Sequence, residues 1–398
     1  MTNGLELEDV YGATIERIKA QDGDKSRLGM TTLMWISHAK RPLQADELCQ
    51  ALAVQLRSDF DIRNIPSMST LLNCCQGLIT VDKEASTVRL IHFTLQEYIS
   101  AHPDLFNKPH SAMAEICLTY LNSKHVKALS AVHSPDTQRA PFLEYCSVYW
   151  GVHAKKELSD YGISLALELL KGDYSRVSTK LLLAHENLDL EDYDTLPSFS
   201  GLQCASFFGI VELVIALIEV GDSDINGGGC WGCTPLSWAA YNGHEEVVEM
   251  LSARGEVNSD KADEFGQTPL FDAARNGHEG VLKILLGLEE VYPDKTDKSG
   301  RTPLSYAAEY GHEGAVKILL GRKDVNPDKA DIFGQTPLLY AAQSAHEGVV
   351  KILLGRKEVD PDKPNDWGET PLSYATQGGH ERIASLLQPR NAVTPGTI

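Results

Sequence analysis

The sequence predicts a mainly α-helical chain that ends in a stack of short helical repeats, and three observations carry that expectation. Thr-Pro-Leu recurs at Thr234, Thr268, Thr302, Thr336 and Thr370, a constant period of 34 residues. Ten residues after each threonine stands a histidine: His244, His278, His312, His346 and His380. Upstream, residues 5–20 and 27–39 space their apolar side chains as amphipathic helices do. A fixed period of 20–50 residues marks one supersecondary unit stacked on copies of itself.

Each unit reads as helix, turn, helix and loop. The threonine hydroxyl caps the first helix, and proline at the first helical position lacks only an N–H that would have no partner there. Small pairs follow, Ala239-Ala240, Ala273-Ala274 and Ala307-Ala308, which let neighbouring helices approach closely. Gly243, Gly277, Gly311 and Gly379 end the helix, because glycine takes the left-handed conformation without strain. A second apolar-spaced helix comes next, as in Val281-Leu282-Lys283-Ile284-Leu285-Leu286. The loop then carries Asp263, Asp297, Asp331 or Asn365 before a glycine and the next Thr-Pro-Leu. A degenerate sixth copy, Ser200-Gly201-Leu202-Gln203-Cys204-Ala205, precedes the first regular one by the same period.

This pattern resembles the ankyrin repeat over residues 198–388, one degenerate and five regular units, with 389–398 as a tail. The tetratricopeptide repeat has a similar period, but its Trp/Leu-Gly/Tyr pattern is missing. Three departures from the ankyrin consensus bear on local stability. The residue after Thr-Pro-Leu is Ser237, Phe271, Ser305, Leu339 or Ser373 instead of histidine, so the usual Thr–His bond is not expected. Ala345 replaces the helix-ending glycine. Asp272 stands where other units carry Trp238, Tyr306, Tyr340 and Tyr374.

The first half reads differently. After the two helices, Pro42 starts a third through Glu47-Leu48-Cys49-Gln50-Ala51-Leu52, and Pro66 precedes a fourth over about 67–76. Leu78-Ile79-Thr80-Val81 and Thr87-Val88-Arg89-Leu90-Ile91-His92, joined by a polar turn, read as a hairpin. Helices followed by a hairpin suggest a winged helix over 1–103, with a helical linker over 104–197. Arg41-Pro42-Leu43 with Glu47-Leu48, Cys75-Gln76-Gly77-Leu78-Ile79 and His92-Phe93-Thr94-Leu95-Gln96-Glu97-Tyr98 resemble the winged-helix segment that follows the NACHT domain in fungal NACHT–ankyrin proteins. Pro141-Phe142-Leu143-Glu144-Tyr145, Tyr149-Trp150-Gly151 and His153 resemble the linker after it. The resemblance implies a relative of innate-immunity-type nucleotide switches, in which the repeats sense a ligand. The phosphate loop of such a switch needs Gly-x4-Gly-Lys-Ser/Thr. The nearest run, Gly23-Asp24-Lys25-Ser26, has Ile18 in the first glycine's place and reads as a helix–helix turn.

Composition narrows the function. With 42% hydrophobic and 23% charged residues the chain reads as an ordinary soluble protein,. No apolar run approaches the roughly 18 residues of a membrane span, and the N-terminus does not read as a signal peptide. Eight irregularly spaced cysteines fit buried thiols of the cytosol or nucleus,. The net charge of −19 splits as −7 over 1–197 and −12 over 198–398. Neither half offers a basic face for nucleic acid, and the helix Met68–Cys75 that would enter a groove holds no Lys or Arg. A partner with a basic surface suits the second half.

No catalytic, cofactor or metal site is expected. The periodic histidines fall one to a unit, not several around one ion. Cys230-Trp231-Gly232-Cys233 has redox-motif spacing, yet the register aligns it with the variable positions Glu264, Lys298, Ile332, Asp366 and Gln267, Arg301, Gln335, Glu369. One periodic feature is left over: the hairpin tips carry Trp231, Phe265, Phe333 and Trp367, with Ser299 the exception. In ankyrin proteins such tips edge the concave face and often recognise the partner; Tyr241, Arg275, Glu309, Tyr310 and Gln343 fall on the same side. The expectation is a non-enzymatic scaffold with a protein partner and no membrane, nucleic-acid or small-molecule substrate. The alternatives are a fragment of a NACHT-type NTPase and an ankyrin transcription co-regulator.

Overall fold

The computed structural model describes residues 7–54, 60–82, 84–128, 140–171, 176–185, 199–221 and 224–388; the expected tail lies outside them. The chain divides into two compact units, Met1–Gly201 and Leu202–Ile398. No helix among the described residues is long and apolar enough to cross a membrane.

The first unit contains α1 (Leu7–Lys19), α2 (Gly23–His38), α3 (Ala45–Ala53), α4 (Met68–Cys74), β1 (Ile79–Val81), β2 (Val88–Leu90), α5 (Phe93–Ala101), α6 (Pro109–Asn122), α7 (Lys124–Lys127), α8 (Phe142–Lys156), α9 (Asp160–Leu170) and α10 (Arg176–His185). β1 and β2 pair antiparallel, with Thr80 opposite Arg89. The expected hairpin is thus the wing of a winged helix. Two boundaries differ from expectation. Helix α2 absorbs Gly23–Ser26, because Lys25 N and Ser26 N both donate to the Asp22 carbonyl and start the helix there. Helix α3 starts at Ala45, not Pro42, since Gln44 and Glu47 form a capping box at its end,.

Trp35, without exposed surface, centres this unit. Its ring meets Phe142 at 5.5 Å and Tyr145 at 5.7 Å, edge on, and so ties α2 to α8. The Gln50 side-chain Oε1 accepts from Tyr120 OH at 2.8 Å and from Phe142 N at 3.3 Å, which brings in α3 and α6. Lys40 N donates to Tyr145 OH, which meets His153 Nε2 at 2.9 Å, while His153 Nδ1 faces His110 Nδ1 at 2.8 Å. Burial pushes His153 down to about 3 and His110 to about 4, so both rings are neutral at pH 7.

The second unit is a row of helix pairs: α11 (Gly201–Phe208) with α12 (Val211–Val220), α13 (Pro235–Tyr241) with α14 (Glu245–Ser252), α15 (Pro269–Arg275) with α16 (Glu279–Leu286), α17 (Pro303–Glu309) with α18 (Glu313–Leu319), α19 (Pro337–Gln343) with α20 (Glu347–Leu354), and α21 (Pro371–Gln377) with α22 (Glu381–Leu387). From α13 on, first helices pack on first helices and second on second. The alanine pairs Ala239-Ala240, Ala273-Ala274, Ala307-Ala308 and Ala341-Ala342 are fully buried there. In the last described pair, exposed Thr376 takes the second alanine's place. Thr234, Thr302, Thr336 and Thr370 accept from the third backbone N–H of their helices. Serines at 305 and 373 complete capping boxes where the consensus histidine is missing.

Two further devices join the units. His244, His278, His312 and His346 each set Nε2 within 2.8–2.9 Å of a carbonyl 37 residues earlier, at Phe207, Tyr241, Arg275 and Glu309. On the loops, the Lys295 ammonium donates to the Asp260 carbonyl and carboxylate at 2.8 Å, and Lys363 does the same to Asp328 at 2.9 Å. Lys329 pairs with Asp294, and Lys261 reaches the Asn226 carbonyl.

Where a first helix ends, Gly209, Gly243, Gly277 and Gly311 take φ of 70–78°. A Cβ on any of them would strike the next histidine ring at 2.4–2.6 Å. Ala345 takes the same left-handed turn, φ 64°, with a Cβ in place, and His380 alone of the five makes no hydrogen bond to the preceding unit. Ala345→Gly should therefore raise the unfolding midpoint. The strain it removes is about 1–2 kcal/mol, against roughly 0.4–1 kcal/mol of added unfolded-state freedom. Thermal melts of the two chains check this; an unchanged or lower midpoint contradicts it.

Candidate protein-binding surface

Each regular unit opens with a hairpin whose tip glycine, at 232, 266, 300, 334 or 368, has φ of 77–86°. Space adds to the demand for glycine: a Cβ on Gly300 would lie 2.8 Å from Ile332 N. An acidic or amide side chain ties the loop. Asp263 Oδ1 accepts from Phe265 N and Gln267 N, both at 2.8 Å, and Asn365 Oδ1 does the same for Trp367 N and Glu369 N. Successive tips are also bonded to one another. Glu264 N donates to the Trp231 carbonyl, Lys298 N to Phe265, Ile332 N to Ser299 and Asp366 N to Phe333, at 2.8–3.1 Å.

On this ladder Phe265 is 53% exposed, Phe333 45% and Trp367 62%. The Phe333 and Trp367 rings stack at 5.6 Å with planes 22° apart, forming one apolar platform. Trp231 differs: it is half-buried, with its ring 6.4 Å from Trp238. Tyr241 lies edge-on to Trp238 at 6.0 Å. The Arg275 guanidinium lies 4.9 Å over the Tyr306 ring, and Glu309 is ion-paired with Arg301. Tyr310, 50% exposed, and Gln343 face solvent. The nine candidates thus divide into exposed groups and groups already engaged within the unit.

Sequence reasoning missed Arg301. Its guanidinium is held between Tyr306 at 3.9 Å and Tyr340 at 4.2 Å, one ring from its own unit and one from the next. Contacts of this kind contribute about 0.5–2 kcal/mol. The signal was present, since the tyrosines stand one period apart and Arg301 just precedes the first. Each ring is also fixed by its hydroxyl: Tyr306 donates to Asp297 at 2.9 Å and Tyr340 to Asp331 at 2.6 Å.

Asp272 breaks this row. Asp263 receives no tyrosine hydroxyl and faces a second carboxyl instead. Burial, and then the Asp263 charge, push Asp272 well above the usual carboxylate range; burial also raises Asp263.

Cys230 and Cys233 form no disulfide with each other, and burial raises the Cys230 thiol to about 11, away from the thiolate form that exchange uses,. No cluster of three or more metal-ligating side chains occurs among the described residues.

A row of helix pairs joined by bonded hairpins defines a helical repeat protein. The chain belongs to the ankyrin-repeat family: the model of ankyrin repeats in three copies matches residues 166–261, 252–331 and 323–394, over half of the chain. Residues 16–109 match the winged helix domain described for GPI inositol-deacylase. No curated protein matches the chain. The repeats support a role in protein interaction.

Replacing Asp272 with tyrosine should restore the missing hydroxyl donor and remove the paired charges. An acid whose folded pKa is raised loses stability as pH climbs through that pKa, so the gain should be larger at pH 7 than at pH 4. About 1–3 kcal/mol is expected at neutral pH, the cost of an uncompensated buried polar group. Urea unfolding of Asp272→Tyr at both pH values measures it.

Proposed function

We propose that this chain is a non-catalytic scaffold that holds a protein partner with a basic surface against the hairpin tips and first helices of its second unit. The observation that carries this is the row of exposed rings, Phe265, Phe333 and Trp367, on tips fixed to each other by main-chain hydrogen bonds. Rigid aromatic groups offer large contact area with little entropy to lose, and such anchors contribute about 2 kcal/mol or more at an interface centre. The net charge of −12 over 198–398 favours basic partners and speeds their approach,. The charge and the cysteine pattern fit the cytosol or nucleus.

The triple substitution Phe265→Ala, Phe333→Ala, Trp367→Ala should remove most affinity and leave the fold intact, because solenoid stability lies in the helices and their neighbours. Partners captured by the wild-type chain are compared with those held by the triple variant and by a chain lacking residues 1–155. A triple variant that keeps them while the shortened chain loses them would move the site to the first half.

A second reading, which rests on the motifs of the first unit and not on the family match, is kinship with the fungal NACHT–ankyrin switches. In that reading these 398 residues are the sensing side of a nucleotide-driven protein. They contain no Gly-x4-Gly-Lys run, so the chain should bind neither ATP nor GTP. Saturable binding at micromolar nucleotide by calorimetry would contradict this.

A further inference from the structure

The first unit carries a pocket of about 370 Å3 between the end of α2, strand β2 and the start of α5. This volume falls within the range of small-ligand sites, which begins at about 300 Å3. Its apolar wall is Ile36 and Leu90 above the buried Val88, its cationic lining is Lys40 and Arg89, and His92 stands beside them with Nδ1 accepting from Thr94 N. Arg41 also lines it, but its guanidinium is already held by both Glu47 carboxylate oxygens, at 2.6 and 2.8 Å. No carboxylate stands among the lining residues, in a chain of net charge −19. The nearby acids Asp46, Glu47 and Glu144 line a separate depression on the other side of Arg41.

Of the remaining cations, Arg89 is only weakly paired and Lys40 has no ion pair among the described residues. Arg89 makes one ion pair, with Asp82 at 3.3 Å, and more than half of its side chain is in solvent; such pairs hold weakly. Lys40 has no carboxylate within ion-pair distance among the described residues. Burial and the ammonium of Lys156 beside it lower its pKa, as expected of a cation held near a like charge. Helix α5 adds the positive end of its dipole. Phe93, at its first position, is 66% exposed at the rim, its ring tilted against His92 at 4.4 Å.

We infer that this pocket binds an oxyanion carried on an apolar body, with Lys40 and Arg89 on the oxyanion and Phe93 and Leu90 against the body. An anion here replaces Lys40–Lys156 repulsion with two attractions, which a neutral ligand does not. The apolar wall separates such a ligand from a bare inorganic anion, because only the former removes that wall from water.

The full chain is titrated with phenyl phosphate, inorganic phosphate and phenol, followed by calorimetry and by amide shifts of α2, β2 and α5. Phenyl phosphate should saturate at least tenfold more tightly than inorganic phosphate, and phenol should not bind. Lys40→Ala combined with Arg89→Ala should weaken phenyl phosphate at least tenfold with an unchanged melting curve. Lys40→Arg should retain binding, and Lys351→Ala in the second unit should have no effect. Lack of saturation, equal affinity for the two phosphates, or binding that survives the double substitution would overturn the inference. None of these outcomes bears on the hairpin tips, so this site and the partner surface are tested separately.

Discussion

The second unit depends on one contact made again at four of its five junctions. An imidazole lies over a turn that has no side chain and meets the carbonyl at the end of the preceding unit's first helix. The glycine there answers two demands at once: left-handed backbone and room for the ring. Because Nε2 reaches a different unit, the bond fixes how far one pair of helices is rotated and shifted against the last. The alanine contacts then fill the space this geometry leaves. At Ala345 both demands are broken together, and His380 is the histidine left without a carbonyl.

The repeat was legible because every unit must solve the same local problems with the same residues. Thr-Pro-Leu, the alanine pairs and the tip glycines answer to sterics and capping within a few residues of each other. What could not be read is the identity of partners one period away. The histidines could be assigned to backbone bonding, but their acceptors lie across a junction. The Arg301 clamp needs two tyrosines from different units, and the Asp–Lys pairs join residue 260 to 295, not to its neighbour. Of the tip aromatics, Phe265, Phe333 and Trp367 stand free, whereas Trp231 leans toward Trp238. Nothing local distinguishes it, because the large ring it leans toward belongs to the helix that follows.

In the first unit the hairpin and its helices followed from alternation and periodicity. The start of α2 did not, because Gly23 and Asp24 look like a turn until the Asp22 carbonyl is seen to accept the first helical bonds. The motif residues of the linker gain a physical reason. Phe142, Tyr145 and His153 build the aromatic and hydrogen-bonded core around Trp35, so their pattern reports packing, not chemistry.

The bonds from tip to tip have a consequence for how such a chain changes length. The three junctions between the first four regular repeats are each closed by the same three links: imidazole to carbonyl, tip amide to tip carbonyl, and lysine to the preceding aspartate. Adding one whole unit between two others recreates all three on both sides and leaves no new polar edge to satisfy. Adding part of a unit breaks them at once, and every tip beyond it falls out of line. A chain assembled this way grows or shrinks in complete 34-residue steps, and a partner that spans several tips meets anchors at a spacing that side-chain substitutions do not alter.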